Sequence, residues 1–245
     1  MARQGAWSKS ARQEGRLKAA LAVGFVALLL GSLFVARLFF QPVLIASGAM
    51  KPALLPGDVV LVRTLGAGPP ARGEVVLFED PALGVEFIFR IVGLPEERIA
   101  LRGGALVIDG ETLPRESLGD HEEIFARQGP SGSLPMCRDN VGFGGRCLKA
   151  LVAETLPGGR RIETLDTRAT RFDDAGDFEV PAEHYFVLGD NRDNAADSRV
   201  QPPVGRGFVP ADAIRGRATR ILFSSEGALW NVARWRPERI LEAVR

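Results

Sequence analysis

The chain has 245 residues, 46% of them apolar, and a formal net charge of +1. That length accommodates a short membrane anchor and one or two compact domains, while the near-zero charge removes any global electrostatic case for nucleic acid or a strongly acidic partner. A lone pair of cysteines with no neighbouring histidine argues against a metal centre, and nothing in the chain calls for a cofactor.

The first element is a basic tail, residues 1–18, in which Arg3, Lys9, Arg12, Arg16 and Lys18 face one acid, Glu14. An uncharged, proline-free run follows from Ala19 to Ala36 and continues through Leu38, Phe39 and Phe40. At about 20 residues, the stretch 19–40 is long enough to cross ~30 Å of hydrocarbon as a helix. A cleaved secretory signal shares this layout, but its apolar part is usually only about 7–15 residues and ends at a small-x-small site. The run here ends in Val35-Ala36-Arg37-Leu38-Phe39-Phe40, which offers no such site. It is read as an uncleaved anchor, with the basic tail in the cytoplasm and everything after residue 41 on the far side.

Past the anchor, short β-like runs alternate with Gly and Pro. Strands are predicted at Asp58–Arg63, Glu74–Phe78, Glu86–Gly93 and Ala105–Ile108, with turns at Leu55-Pro56-Gly57-Asp58, Gly68-Pro69-Pro70 and Arg102-Gly103-Gly104. From about Ile99 to Pro181 the sequence is richer in Gly and charge, and Gly129–Cys147 reads as a long loop, so 99–181 is expected to be a smaller inserted domain or a flap. Strand character returns at Tyr185–Leu188 and Arg217–Phe223. The segment from Trp230 to Val244 reads as a short amphipathic piece that packs on the domain or touches lipid head groups. Cys137 and Cys147 lie close together in the exported part, where an oxidising compartment favours a disulfide; two free thiols are the alternative.

Four segments in order carry a resemblance. Ser47-Gly48-Ala49-Met50-Lys51-Pro52 lies within the stretch Ile45 to Asp58, directly behind the anchor. Arg72-Gly73-Glu74-Val75-Val76-Leu77-Phe78 comes next, then Phe87-Ile88-Phe89-Arg90-Ile91-Val92-Gly93. Last is Gly189-Asp190-Asn191-Arg192-Asp193-Asn194-Ala195-Ala196-Asp197-Ser198-Arg199, followed by Gly207-Phe208-Val209-Pro210 and Gly216-Arg217-Ala218. Together they resemble the type I signal peptidases (leader peptidases), serine endopeptidases of the bacterial inner membrane that remove signal peptides. The resemblance implies a mainly β fold. An antiparallel β-sheet core from 41–98 and 182–245 would carry the smaller inserted β region, behind one transmembrane helix and on the periplasmic side. Membrane lipid, signal peptides of exported precursors and secretion machinery are the implied partners.

In that family a serine directly before the methionine attacks the scissile carbonyl. A lysine directly before the arginine of the third segment takes the serine's proton, and a serine after the Asn of the fourth orients the lysine. The corresponding positions here hold Ala49, Phe89 and Ala195. A methyl has no lone pair to attack with and a phenyl ring has no basic atom, so none of the three can serve. Ser47 matches a position that supports the oxyanion. Ile45, Met50 and Ile88 are expected to line an apolar groove, and Asp197 and Arg199 to form a structural ion pair. Substitutes are poorly placed on an extended chain. Ser47 would lie about 6.6 Å from Ala49 and about 13 Å from Lys51, whose position before Pro52 biases it to extended geometry. Lys149 reads as a solvated loop charge. His121 and His184, which must be weighed because histidine is the base in eukaryotic relatives, occupy neither position of the dyad. The leading expectation is therefore a non-catalytic homologue that binds exported precursors or secretion partners. The alternatives are an active peptidase with relocated groups and a membrane-surface module without a peptide groove.

Overall fold

The computed structural model of the chain describes residues 4–64, 66, 68–80, 84–201 and 206–245, with side chains from Lys18 onward except that of Leu33. Two compact units result, residues 1–40 and 41–245. The first is a single helix, α1 (Gln4–Phe39). Its part from Lys18 to Phe39 has a mean hydropathy of 2.5 over 22 residues and is long and apolar enough to cross a membrane.

The second unit is built from antiparallel strands. In chain order the described residues form β1 (Phe40–Leu44), β2 (Asp58–Arg63), β3 (Val75–Asp80), β4 (Val85–Gly93), β5 (Arg98–Arg102), β6 (Ala105–Ile108) and β7 (Glu111–Thr112). Then come β8 (Arg115–Ile124), β9 (Arg146–Thr155), β10 (Arg161–Asp166), β11 (Phe178–Glu179), β12 (His184–Leu188), β13 (Val209–Pro210) and β14 (Ile214–Ser224). The main sheet runs β1-β2-β14-β3-β4-β12-β13, and β10-β9-β8 and β11-β5-β6-β7 form two smaller sheets. The stretch 99–181 supplies most of both smaller sheets, within the same compact unit as the main one.

Burial follows from the alternation of apolar residues. In β2 the side chains of Asp58, Val60 and Val62 are buried while the intervening ones are half-buried or exposed, as expected of a strand with one face on a core. β3 is buried along nearly its whole length, because it lies inside the sheet between β14 and β4. Met50, Leu54, Val60, Phe78, Phe89 and Ile91 belong to one apolar cluster, and Val92, Ile99, Leu106, Leu156 and Phe186 to a second.

The loop predicted at Gly129–Cys147 is largely irregular up to β9, and the Cys137 and Cys147 sulfurs are joined across a separation of 10 residues. Closing a loop of this size stabilises the fold by about 2–3 kcal/mol, chiefly by restricting the unfolded chain. The C-terminal segment forms two short 3-10 turns, Val232–Arg234 and Pro237–Arg239. Trp235 packs edge-on against Phe223 of β14 with ring centroids 4.7 Å apart, whereas Trp230 is exposed.

Candidate functional site

Three of the four sequence segments meet at one place, and the strand register explains how. β12 runs antiparallel to β4 with Leu188 opposite Arg90. Gly189, the next residue, therefore arrives beside Phe89. The following loop is tied to the first segment by backbone and side chain: Asn191 donates its N–H to the Ala49 carbonyl (3.0 Å) and its Nδ2 to the Gly48 carbonyl (2.9 Å). The second segment supplies the neighbouring strand, with Val76 of β3 opposite Phe89.

Ala49, Phe89 and Ala195 consequently surround Gly189. A methyl group built on Gly189 would lie 2.3 Å from Ala195 Cβ, 2.8 Å from the Ala49 carbonyl oxygen and 3.4 Å from the Phe89 ring. No real side chain fits there. Gly189→Ala is expected to destabilise the fold by about 1–3 kcal/mol, the usual penalty of overpacking, which chemical denaturation followed by circular dichroism measures.

Phe89 is 4% exposed. It packs against Phe78 (6.1 Å between ring centroids) and parallel to Phe87 (6.5 Å), and the Arg206 guanidinium stands 3.2 Å from the Phe87 centroid and 5.6 Å from that of Phe89. The position that the resemblance gives to a basic amine is thus filled by stacked rings beneath a guanidinium. A guanidinium stays protonated at any physiological pH, so Arg206 accepts no proton in its place.

A groove of about 490 Å³ opens at this point, with Leu44, Ile45, Ser47, Ala49, Ile88 and Phe89 among its lining. Ile45 and Ile88 both belong to the lining. Met50 does not line this groove: it is 1% exposed and belongs to the core cluster, because the chain turns inward after Ala49. Ser47 is exposed on the lining, and its hydroxyl accepts a long hydrogen bond from the Ala49 N–H (3.5 Å). Behind the groove, Asp197 and Arg199 form a buried pair with two contacts of 2.8 Å, and Asp197 also accepts from the Gly189 N–H (3.1 Å). That ion pair positions the backbone of the site. Arg90, next to Phe89, and Asp190, next to Gly189, make a second, fully buried bidentate pair at 2.7 and 2.6 Å.

Two further sequence expectations differ from the structure. The segment from Ser47 to Leu54 is not extended: Lys51 donates its N–H to the Gly48 carbonyl (3.3 Å) and Leu54 to that of Met50 (2.8 Å), forming consecutive turns. Pro52 constrains its predecessor against the α region but does not forbid such turns. Lys149 is not a solvated loop charge. It lies on β9 in register with His121 of β8 and is 0% exposed. Both lysines converge on Glu123, which bonds the Nζ of each, while Gln128 bonds Lys51 Nζ and Glu123 at 2.6 Å each. Burial alone pushes the Glu123 carboxyl upward, but the Lys51 ammonium together with hydrogen bonds from Lys149, Lys51 and Gln128 holds it at about 2. Burial also draws the Lys51 amine below its ordinary value against the pull of Glu123. The signal for this cluster was a lysine inside the otherwise apolar run Cys147-Leu148-Lys149-Ala150-Leu151-Val152. His184 sits at the start of β12 with its Nδ1 2.8 Å from the Ala182 carbonyl oxygen, away from the three convergent positions. Among the described residues no cluster of His, Cys, Asp and Glu has the makings of a metal site.

The model of the signal peptidase family, peptidase S26, matches residues 17–223. The chain belongs to this family. It is similar to signal peptidase I of Pseudomonas fluorescens, 31% identical over 221 residues that cover 82% of this chain and 69% of that one. The corresponding figures for signal peptidase I of Rickettsia typhi are 27% over 230 residues, 82% and 78%. A crystal structure of a signal peptidase I from Enterococcus faecalis aligns over 61% of this chain and 97% of that one, at 22% identity and a TM-score of 0.32. Family membership brings the expectation of a serine and a lysine to the place where this peptidase homologue has Ala49 and Phe89.

Proposed function

We propose that this signal peptidase homologue is anchored in the bacterial inner membrane by α1, with its β unit on the periplasmic side, and binds the signal segments of exported precursors without cutting them. The observation that supports this reading is the convergence of Ala49, Phe89 and Ala195 around Gly189. Three side chains without a nucleophilic or basic atom meet beside a groove whose apolar lining and exposed Ser47 are kept. Hydrolysis needs a nucleophile at roughly 3–3.5 Å from the scissile carbonyl and a base within hydrogen-bond reach of it. Lys51 is poorly placed as a base here, since its amine is engaged by Glu123 and Gln128 and lines the second cavity rather than this groove.

One feature favours a second reading, an active enzyme with relocated groups: the Ser47 hydroxyl remains exposed on the groove lining. Fluorescence polarisation with a labelled signal peptide ending in Ala-x-Ala separates the readings. Saturable binding of an intact peptide, weakened at least tenfold by Leu44→Asp on the exposed groove edge, is the expected result. Absence of saturable binding would leave the chain a membrane-surface module, and shortening of the peptide would favour the active enzyme.

A further inference from the structure

The peptide groove makes no use of the lysine pair on Glu123. A second cavity, of about 510 Å³, has Lys51, Glu123, Arg127, Gln128, Arg234 and Arg236 on its wall. Its electrostatics are lopsided. Lys51 and Lys149, 3% and 0% exposed, share the single carboxylate of Glu123. Arg236 and Arg239 in turn share Asp58, at 3.6 and 2.7 Å, and Arg239 also reaches the exposed Glu242 at 3.5 Å. The remaining acids of the wall, Glu122 and Glu226, are taken up by Arg146 (2.6 Å) and Arg234 (3.7 Å). Arg127 adds a further cation, in contact with the Gly132 carbonyl at 3.5 Å.

Counted with these neighbours the wall keeps a formal positive excess, of which Lys51 is buried and Arg236 half-buried while Arg127 and Arg234 are exposed. The Nε of Arg236 is moreover buried with no hydrogen-bond partner, although its Nη2 is occupied by the Pro56 and Ser225 carbonyls at 2.8 and 3.0 Å. A buried donor without an acceptor beside an excess of cations is what an anion would satisfy.

We propose that this cavity is an oxyanion site that takes a phosphate group. Guanidinium and ammonium donors arriving from several directions suit the multiple acceptor oxygens of phosphate. A volume of about 510 Å³ exceeds what a bare phosphate fills and leaves room for the remainder of an ester, as ligand pockets of about 300–1,000 Å³ do. The phosphate comes either free in solution or on a glycerolipid head group, and the two sources are separable.

Isothermal titration of the full chain in non-ionic detergent, with inorganic phosphate against chloride of matched ionic strength, is the test. Dihexanoyl-phosphatidylglycerol, against the matching phosphatidylcholine, forms the second arm. Saturable phosphate binding that weakens at least tenfold in Lys51→Met and at least fivefold in Arg127→Glu is the expected result. Lys51→Met leaves Glu123 with Lys149, and Arg127 is exposed, so both variants fold. Saturable binding of the phosphatidylglycerol alone, equally sensitive to both changes, supports the site with a lipid head group as its source. No saturable binding in either arm, or binding indifferent to both substitutions, overturns the proposal.

Discussion

Glu123→Gln is expected to lower the unfolding free energy by about 3–5 kcal/mol, the range for removing one partner from a buried ionic cluster. Among the described residues the carboxylate is the one acid that bonds both Lys51 and Lys149, whose side chains are 4% and 0% exposed. Glutamine keeps the volume and one acceptor but leaves two buried ammonium groups without a counter-ion. Lys51→Met is milder, because it removes a surplus cation and leaves a one-to-one pair; a loss of about 1–2 kcal/mol is expected, from the hydrogen bond that Gln128 no longer receives. Urea denaturation at pH 7 measures both, and equal losses in the two variants would mean that charge balance is not what holds the cluster. Acid gives an independent check. The carboxyl is held at about 2 in the fold against an ordinary 4.5. Between those values the unfolded chain binds a proton that the folded chain refuses, so stability falls as the pH is lowered through this window. The Glu123→Gln variant should lack that part of the acid dependence.

Asp190→Ala is expected to cost a similar amount, about 3–5 kcal/mol, for the same reason. Arg90 is 1% exposed and directs its Nε and Nη2 to Asp190 at 2.7 and 2.6 Å, with Nη1 on the Gly73 carbonyl at 2.7 Å. Without the carboxylate the guanidinium is buried and two of its donors are unpaired. Because Arg90 follows Phe89 and Asp190 follows Gly189, the pair also clamps β4 to the loop after β12 at the groove. Signal-peptide affinity is therefore expected to fall together with stability. The double change Arg90→Met/Asp190→Leu should recover most of the stability, since neither charge then remains uncompensated. A thermodynamic cycle over the four proteins measures this coupling, and additive losses would show that the two residues act separately.

Much of the fold is legible in local pattern. The run Asp58–Arg63 alternates between a buried and an open face, and Ala105–Ile108 is bounded by glycines and Asp109, so both strands are found with their observed bounds. The apolar run after Lys18 announces the helix in the same way. The three positions of the site were legible because each is fixed to a neighbour within its own segment: Ala49 to Met50, Phe89 to Arg90, Ala195 to Asn194. Their meeting around Gly189 depends on the pairing of β12 with β4, which local pattern does not contain. The lysine cluster was hidden for a related reason. β8 is polar along its length, Arg115-Glu116-Ser117-Leu118-Gly119-Asp120-His121-Glu122-Glu123-Ile124, so local pattern marks no strand there. Only its pairing with β9 carries Glu123 to Lys149. The turn after Ser47 is not legible in the same way, because the preference of a residue before proline excludes one backbone region and not every fold-back.

Whether peptide bonds are cut at Ala49 and Phe89 is decided by incubation with a precursor. The purified full chain is to be mixed with an exported precursor carrying a small-x-small site, beside the triple variant Ala49→Ser/Phe89→Lys/Ala195→Ser. A lysine at position 89 would share the space next to the Arg206 guanidinium, now 5.6 Å from the Phe89 ring. Burial and that neighbouring cation would both draw its pKa down toward a working base. The expected result is no product from the natural chain at any time or concentration at which it binds the precursor. Product from the natural chain that disappears on Ser47→Ala would show a peptidase with relocated groups, whatever the triple variant does.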